Sequence, residues 1–206
     1  VSVFAIVCIE GKAPSDWNWK EITEEVFAKK EESTEVMHVE GIDWKEVAFA
    51  KRRMSRVLGA VVGDIVGSVY EFNEIKTKDF PLFSEHCCPT DDSMMTLAVA
   101  SALVECEKDY SKLAAETIKQ MQLWGMKYPK AGYGSMFSDW LCSNNPQPYN
   151  SFGNGSAMRV SPVVYFAKSL EEVKELSRIV TSVTHNHPEG IKGAEAAAAV
   201  SYTHLR

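Results

Sequence analysis

The hydrophobic pattern of the chain changes period near residue 55. Before that point, short apolar runs over residues 1–9 and 34–42 read as strands and flank a helical stretch over 19–30. Asp16 or Ser15 can cap this stretch, and Lys29, Lys30, Glu31 and Glu32 end it in charge. Residues 1–54 therefore read as a small α/β appendage, or as the tail of a domain that begins upstream. Lys51, Arg52 and Arg53 form a solvated basic junction after it. Beyond residue 55, apolar residues recur at helical spacing between loops containing Gly, Pro and Asn. The pattern predicts helices over 56–70, 93–107, 113–124, 156–169, 170–182 and 193–202. The 93–107 helix is strongly amphipathic in this reading, and Pro162 bends or delays the 156–169 helix. Val173, Leu176, Ile179 and Val180 mark the buried face of the 170–182 helix. No strand pattern follows residue 55. Residues 55–206 are thus expected to form an all-α bundle with functional loops gathered at one end.

Composition narrows the classes. Hydrophobic residues make up 45% of the 206, enough to build a core. The net charge of -6 argues against a nucleic-acid partner, so an anionic ligand would need a local cation or backbone N–H groups. No apolar run is long enough to cross a membrane. Cys8, Cys87, Cys88, Cys106 and Cys142 include no CxxC spacing, and His86 beside Cys87 and Cys88 has no second pair at zinc-finger spacing. Reduced thiols in a cytoplasmic protein are the expectation. The chain starts with Val1 and stops soon after the last helix begins, without a C-cap glycine, so it reads as truncated.

Four segments carry candidate chemistry, and each has a plain structural alternative. Thr90-Asp91-Asp92-Ser93 stands at a helix start. Thr90 is a good N-cap, and acidic residues in a first turn complement the helix dipole. The same hydroxyl and adjacent carboxylates form a hard-oxygen cluster suited to Mg²⁺ or Mn²⁺. Upstream, Gly59, Gly63 and Gly67 share one helix face, which suggests close backbone packing there. Asp64 lies among Val61, Val62, Ile65 and Val66, so it needs a partner or a cation if buried. Glu71, flanked by Tyr70 and Phe72, is a candidate acid/base group if desolvated. The third segment runs from Ser151 through Gly153, Asn154, Gly155 and Ser156 to Arg159. It is an ordinary turn before a helix, or a loop that aims N–H groups at an anion, with Ser156 opening the helix and Arg159 adding a forked contact. The fourth contains His185 and His187, which read as a polar loop, as metal ligands or as ligand contacts. Ligand contact is favoured, because the Thr-Asp-Asp cluster calls for a hard ion.

The order of these segments resembles the ADP-ribosylglycohydrolases, the group that includes the dinitrogenase-reductase-activating enzymes. The resemblance covers roughly residues 56–199 and rests on GAVVGDIVGSVYEF, TDDSMMT, AGYGSMF, YNSFGNGSAMRVSP and THNHPEGIKGA. It implies an all-α fold and two divalent ions, magnesium or manganese, in the intact protein. By resemblance Thr90, Asp91 and Asp92 ligate metal, and Glu71 and Asp92 serve the chemistry. Gly153, Asn154, Gly155, Ser156 and Arg159 hold the ADP-ribose phosphates, His185 and His187 line the same pocket, and Tyr133 and Gly134 lie near the ligand. The implied reaction is hydrolysis of the N- or O-glycosidic bond joining ADP-ribose to a protein side chain or other acceptor. The alternative is an ADP-ribose-binding module without turnover. The family's further ligands come from an Asp-x-Asp-Ser/Thr motif, and no such string follows His187 here.

Overall fold

The structure is a computed structural model that describes residues 57–204. The expected α/β segment over 1–54, with its strands at 1–9 and 34–42 and its helix at 19–30, lies outside the described residues. Within them the chain is helical and contains no strand, as the period of the apolar positions predicts. The helices are α1 (Leu58–Gly67), α2 (Asp91–Glu105), α3 (Leu113–Lys127), α4 (Ser135–Leu141), α5 (Leu170–Ser182) and α6 (Pro188–His204), with loops and four 3₁₀ turns among them.

Helix α2 is the axis of the bundle. Consecutive residues Ala98, Val99 and Ala100 are all buried, so no face of this stretch meets solvent. It is a central helix, not the amphipathic one expected, because α1, α3 and the Ser161–Tyr165 turn pack around it. Its N-terminal part, Met94, Met95 and Ala98, joins Met121, Phe137, Trp140 and Leu141 in one apolar cluster. Its C-terminal part, Val99, Ala102 and Leu103, joins Leu113, Val163, Val173, Leu176, Val180 and Ala198 in the other. Helix α5 ends where the pattern predicts, and Ser169 caps it by accepting from Glu172 N at 3.2 Å.

Three further expectations are corrected. No α-helix forms over 156–169: the chain makes two 3₁₀ turns, Asn154–Ser156 and Ser161–Tyr165. Pro162 lacks an N–H, and side chains from Val160 to Ala167 are buried on several sides, which suits irregular packing over an amphipathic helix. The last helix begins at Pro188 rather than residue 193, because proline suits a first helical position. The glycine face of α1 is not closely packed: a Cβ at Gly59, Gly63 or Gly67 meets nothing within 4 Å among the described residues. A short helix, α4, also went unread.

Helix α3 does carry a glycine with a packing reason. A Cβ at Gly125 would come within 2.6 Å of the Leu141 side chain. Gly63→Ala is expected to stabilise this chain by about 0.5–1 kcal/mol through helix propensity. Gly125→Ala is expected to destabilise it by about 1–3 kcal/mol through overpacking. Urea midpoints of the two variants check both signs.

Candidate active site

The site is built from the N-terminal end of α2. Thr90 is extended (φ -110°, ψ -168°) and caps the helix, its Oγ1 accepting from Asp92 N at 3.3 Å. The capping role of Thr90 is therefore real, and it coexists with the acidic cluster. Asp64, on α1, supplies the partner that its surroundings demanded. Its Oδ2 accepts from Thr90 N at 2.8 Å and Ser93 N at 3.1 Å. Its Oδ1 accepts from Thr90 Oγ1 at 2.6 Å, and Ser93 Oγ donates to Oδ2 as well. One carboxylate thus gathers two backbone and two hydroxyl donors from the first turn of α2.

Asp91 and Asp92 follow in that turn, both half-buried. Burial, then the charge of Asp92, push Asp91 up to about 6, with smaller pushes from Glu71 and Asp64. Asp92 is also raised, by burial first and then by Asp64 and Glu71. The acids crowd one another, the condition that a divalent cation relieves. Glu71 contributes its charge to both, but it is exposed, and its neighbour Phe72 is 86% exposed. The flanking aromatics therefore provide no desolvated pocket for Glu71: Tyr70 turns to pack edge-on against Phe80 instead.

A second wall comes from residues 131–141. Gly132 takes φ +97°, a conformation that side chains rarely adopt, and its α-carbon faces Asp91 Oδ1, 3.9 Å from where a Cβ would stand. This turn brings Gly134, Ser135, Met136 and Phe137 to the cleft. Tyr133 packs against Phe137 at 5.6 Å between ring centroids. Burial, then the charge of Asp91, push its hydroxyl up to about 12.

The third wall is the glycine loop. Asn150, at φ 55°, turns the chain into it, with its N–H donated to Asn186 Oδ1 at 2.7 Å. Helix α6 meets the loop so closely that a Cβ at Gly190 would lie 2.7 Å from the Ser151 carbonyl oxygen. Ser156 is buried and donates to the Gly190 carbonyl at 3.3 Å. It ends a 3₁₀ turn and opens no α-helix, so the expected phosphate site at a helix N-terminus is not formed there. Arg159 is 1% exposed, and its Nη groups donate to Gly155 O (3.1 Å), Val180 O (3.3 Å) and Thr184 Oγ1 (2.7 Å). Its fork is turned into the protein rather than toward a phosphate. No carboxylate acts on this buried charge among the described residues, and Tyr149 is the group that does. His185 is buried and bonded through Nδ1 to Thr184 Oγ1 at 2.7 Å. Burial, then the charge of Arg159, hold it down to about 4. His187 instead accepts from Glu189 N at 3.1 Å, which caps α6, and its ring packs beside Phe152.

Around one cleft of about 280 Å³ the structure brings together Asp91, Gly134, Gly153, Asn154, Gly155, Arg159 and His185. Of the expected residues, Glu71, Thr90, Asp92, Tyr133, Ser156 and His187 are not on its lining. Sequence reasoning missed Tyr149, Met158 and the 135–137 segment. Tyr149 and Met158 sit within the glycine-loop motif and Ser135 follows Gly134, so adjacency to those motifs was the available signal. Among the described residues, no group of three His, Cys, Asp or Glu side chains is placed to hold a metal ion. Asp91 and Asp92 fit a hard cation in kind, but the described residues do not complete its ligands.

Comparison with known proteins gives the family of the chain. The ADP-ribosylglycohydrolase family model matches residues 46–206. The chain is 28% identical over 184 residues to the ADP-ribosylhydrolase ARH3 of Bos taurus, covering 71% of this chain and 49% of that protein. It is 28% identical over 173 residues to the ARH3 of Gallus gallus (66% and 45%), and 27% identical over 184 residues to that of Homo sapiens (70% and 48%). The chain belongs to the ADP-ribosylglycohydrolase family. It spans about half the length of the curated relatives it matches.

Asp64→Ala strands four donors at the start of α2 and is expected to cost about 2–3 kcal/mol, with Asp64→Asn intermediate; urea unfolding measures both. The two shifted groups give opposite pH signatures. His185 is lowered, so between pH 6.5 and about 4 the unfolded chain binds a proton that the folded chain refuses, and stability falls as pH drops through that window. Asp91 is raised, so between 3.8 and about 6 the folded chain keeps a proton that the unfolded chain has lost, and stability falls as pH rises there. In metal-free buffer, Asp91→Asn is expected to be more stable than the parent at pH 7. Thermal melts of the parent beside Asp91→Asn and His185→Gln across pH 4 to 7 separate the two slopes.

Proposed function

We propose that this chain forms part of an ADP-ribosyl hydrolase site, cleaving the glycosidic bond that joins ADP-ribose to a protein side chain or other acceptor. The observation that carries the reading is the charge layout of the cleft. A buried Arg159 on which no carboxylate acts among the described residues stands on one wall, and the crowded acids Asp91 and Asp92 stand near the other. A buried charge calls for a counter-charge, and a diphosphate beside the glycine loop supplies one. The ribose end of the same ligand then reaches toward the acids.

Glycosidic cleavage passes through oxocarbenium-like charge at the anomeric carbon. A nearby carboxylate group stabilises that charge and moves the proton that departure of the acceptor requires. Asp92, whose carboxyl is raised by burial and then by Asp64 and Glu71, is the candidate to move that proton, with Glu71 as its partner. Asp91, Asp92 and Thr90 would hold magnesium or manganese, with the rest of the ligand set coming from elsewhere in the whole protein. Such an ion, when bound, orients ribose hydroxyls and water. The glycine loop excludes water from the phosphates and fixes their position.

The protein carrying this chain is expected to release ADP-ribose from an ADP-ribosylated protein, and EDTA is expected to abolish the release. Asp91→Ala combined with Asp92→Ala is expected to reduce it to background. Full release by that double variant would sink the hydrolase reading. The absence of a convergent metal-holding group among the described residues favours a second reading for the chain alone, an ADP-ribose-binding module. Calorimetry with ADP-ribose in EDTA separates the two: metal-independent binding without turnover points to the module.

A further inference from the structure

Gly190 is the third residue of α6, and its own backbone gives no reason for a glycine. Gly132 is the glycine with a positive φ among the described residues, so Gly190 keeps a conformation that alanine also adopts. Glycine is the poorer helix former of the two, so what it provides here is space. A Cβ at Gly190 would stand 2.7 Å from the Ser151 carbonyl oxygen, 3.3 Å from His185 Cβ and 3.4 Å from Phe152 Cα. Two of these atoms belong to the backbone at the start of the glycine loop, which cannot swing aside as the end of a side chain does. The helix cannot retreat either. Ala194 and Ala198, further along α6, are fully buried in the cluster that holds Val173, Leu176 and Val180 of α5. Gly193, on the same helix, has nothing within 4 Å of its Cβ position among the described residues.

We propose that the segment from Asn186 to Gly190 is the seat of the glycine loop, with Gly190 and Asn186 as positioning residues for the groups that face the cleft. Hydrogen bonds tie the loop to this seat at both ends. At the entry, Asn150 N donates to Asn186 Oδ1 at 2.7 Å, beside Tyr149 N donating to the Thr184 carbonyl at 3.1 Å. At the exit, the buried Ser156 hydroxyl donates to the Gly190 carbonyl at 3.3 Å. Between these ties, Ser151 and Phe152 pass directly over the bare α-carbon of Gly190. Ser151, Gly153, Asn154 and Gly155 line the cleft, whereas Asn186 and Gly190 do not, so both act on the site through the loop. Gly190 sets how deep the loop lies. Asn186 fixes where it turns, at the positive φ of Asn150. A methyl group at position 190 pushes the Ser151 carbonyl away and shifts Gly153–Gly155 relative to Asp91, which lines the same cleft. Only the binding arm of the test below rests on the reading of the loop as an ADP-ribose site.

The test uses the 206-residue chain, labelled with ¹⁵N. Gly190→Ala and Gly193→Ala make the same change on one helix, so propensity shifts alike and the clash tells them apart. Gly190→Ala is expected to move the amide signals of residues 151–155, and Gly193→Ala to leave them at their parent positions. Loop amides that stay put in a folded Gly190→Ala, or that move as far in Gly193→Ala, overturn the proposal. If Gly190→Ala does not fold, Asn186→Ala decides: it is expected to move the same amide signals, and a loop that stays put overturns the seat. In calorimetry, Gly190→Ala is expected to weaken ADP-ribose binding about tenfold or more, with Gly193→Ala binding as the parent does. Parental affinity in a Gly190→Ala chain whose loop amides have moved overturns the positioning role. A parent chain that binds no ADP-ribose, yet shows the amide responses, removes the ligand assignment and leaves the seat standing.

Discussion

Asp64 and the first turn of α2 form the contact on which the site is built. The carboxylate of Asp64 accepts from both the backbone and the hydroxyl groups of Thr90 and Ser93. Those N–H groups have no partner within the helix, and the helix dipole favours a negative charge beside them. The same interaction crosses a segment of 20 residues, 71–90, in which no helix or strand forms. It is reinforced by Cys88 N donating to Ser68 Oγ at 3.1 Å. Helix α1 buries none of its own residues, so this polar clamp has more to do with its position than apolar packing has.

The clamp concentrates negative charge. Burial raises the carboxyls of Asp91 and Asp92, and the charges of Asp64 and Glu71 raise both further. Hydrogen bonds to Asp64 offset part of the cost. The opposite charge stands across the cleft on Arg159, which is held by carbonyls and a hydroxyl rather than by a carboxylate. Carbonyl dipoles solvate a guanidinium without cancelling its charge, so its field persists at the cleft. An acidic end and a basic end are thereby kept apart by the rigid packing of α2 against its neighbours.

The 170–182 helix was legible to the residue, because its apolar positions repeat at helical spacing and Ser169 caps it. The 156–169 stretch was not. Its apolar content was visible, but whether such a run coils as an α-helix or as 3₁₀ turns depends on what surrounds it. Likewise the Gly59, Gly63 and Gly67 stripe suggested close packing, and nothing in the stripe itself says whether a neighbour is there. Motif residues were found with more success than their roles. Asp91, Gly153, Asn154, Gly155 and His185 do meet at one cleft. Arg159 lines it as well, but faces its donors inward, and His187 serves as a cap.

Sequence by itself settled the helical class and the family, and it located Asp91, Gly153, Asn154, Gly155 and His185, which share one cleft. These follow from local periodicity and from short strings whose chemistry does not depend on distant partners. Only the tertiary structure decided that Asp64 serves α2, that α2 is central rather than amphipathic, and that Arg159 and His185 are linked through Thr184. Thr184 carries no signal of its own, since a threonine is an ordinary loop residue until a cation and an imidazole lie within 3 Å of its hydroxyl. Such a linkage is a property of three-dimensional neighbours, and it appears only once they are assembled.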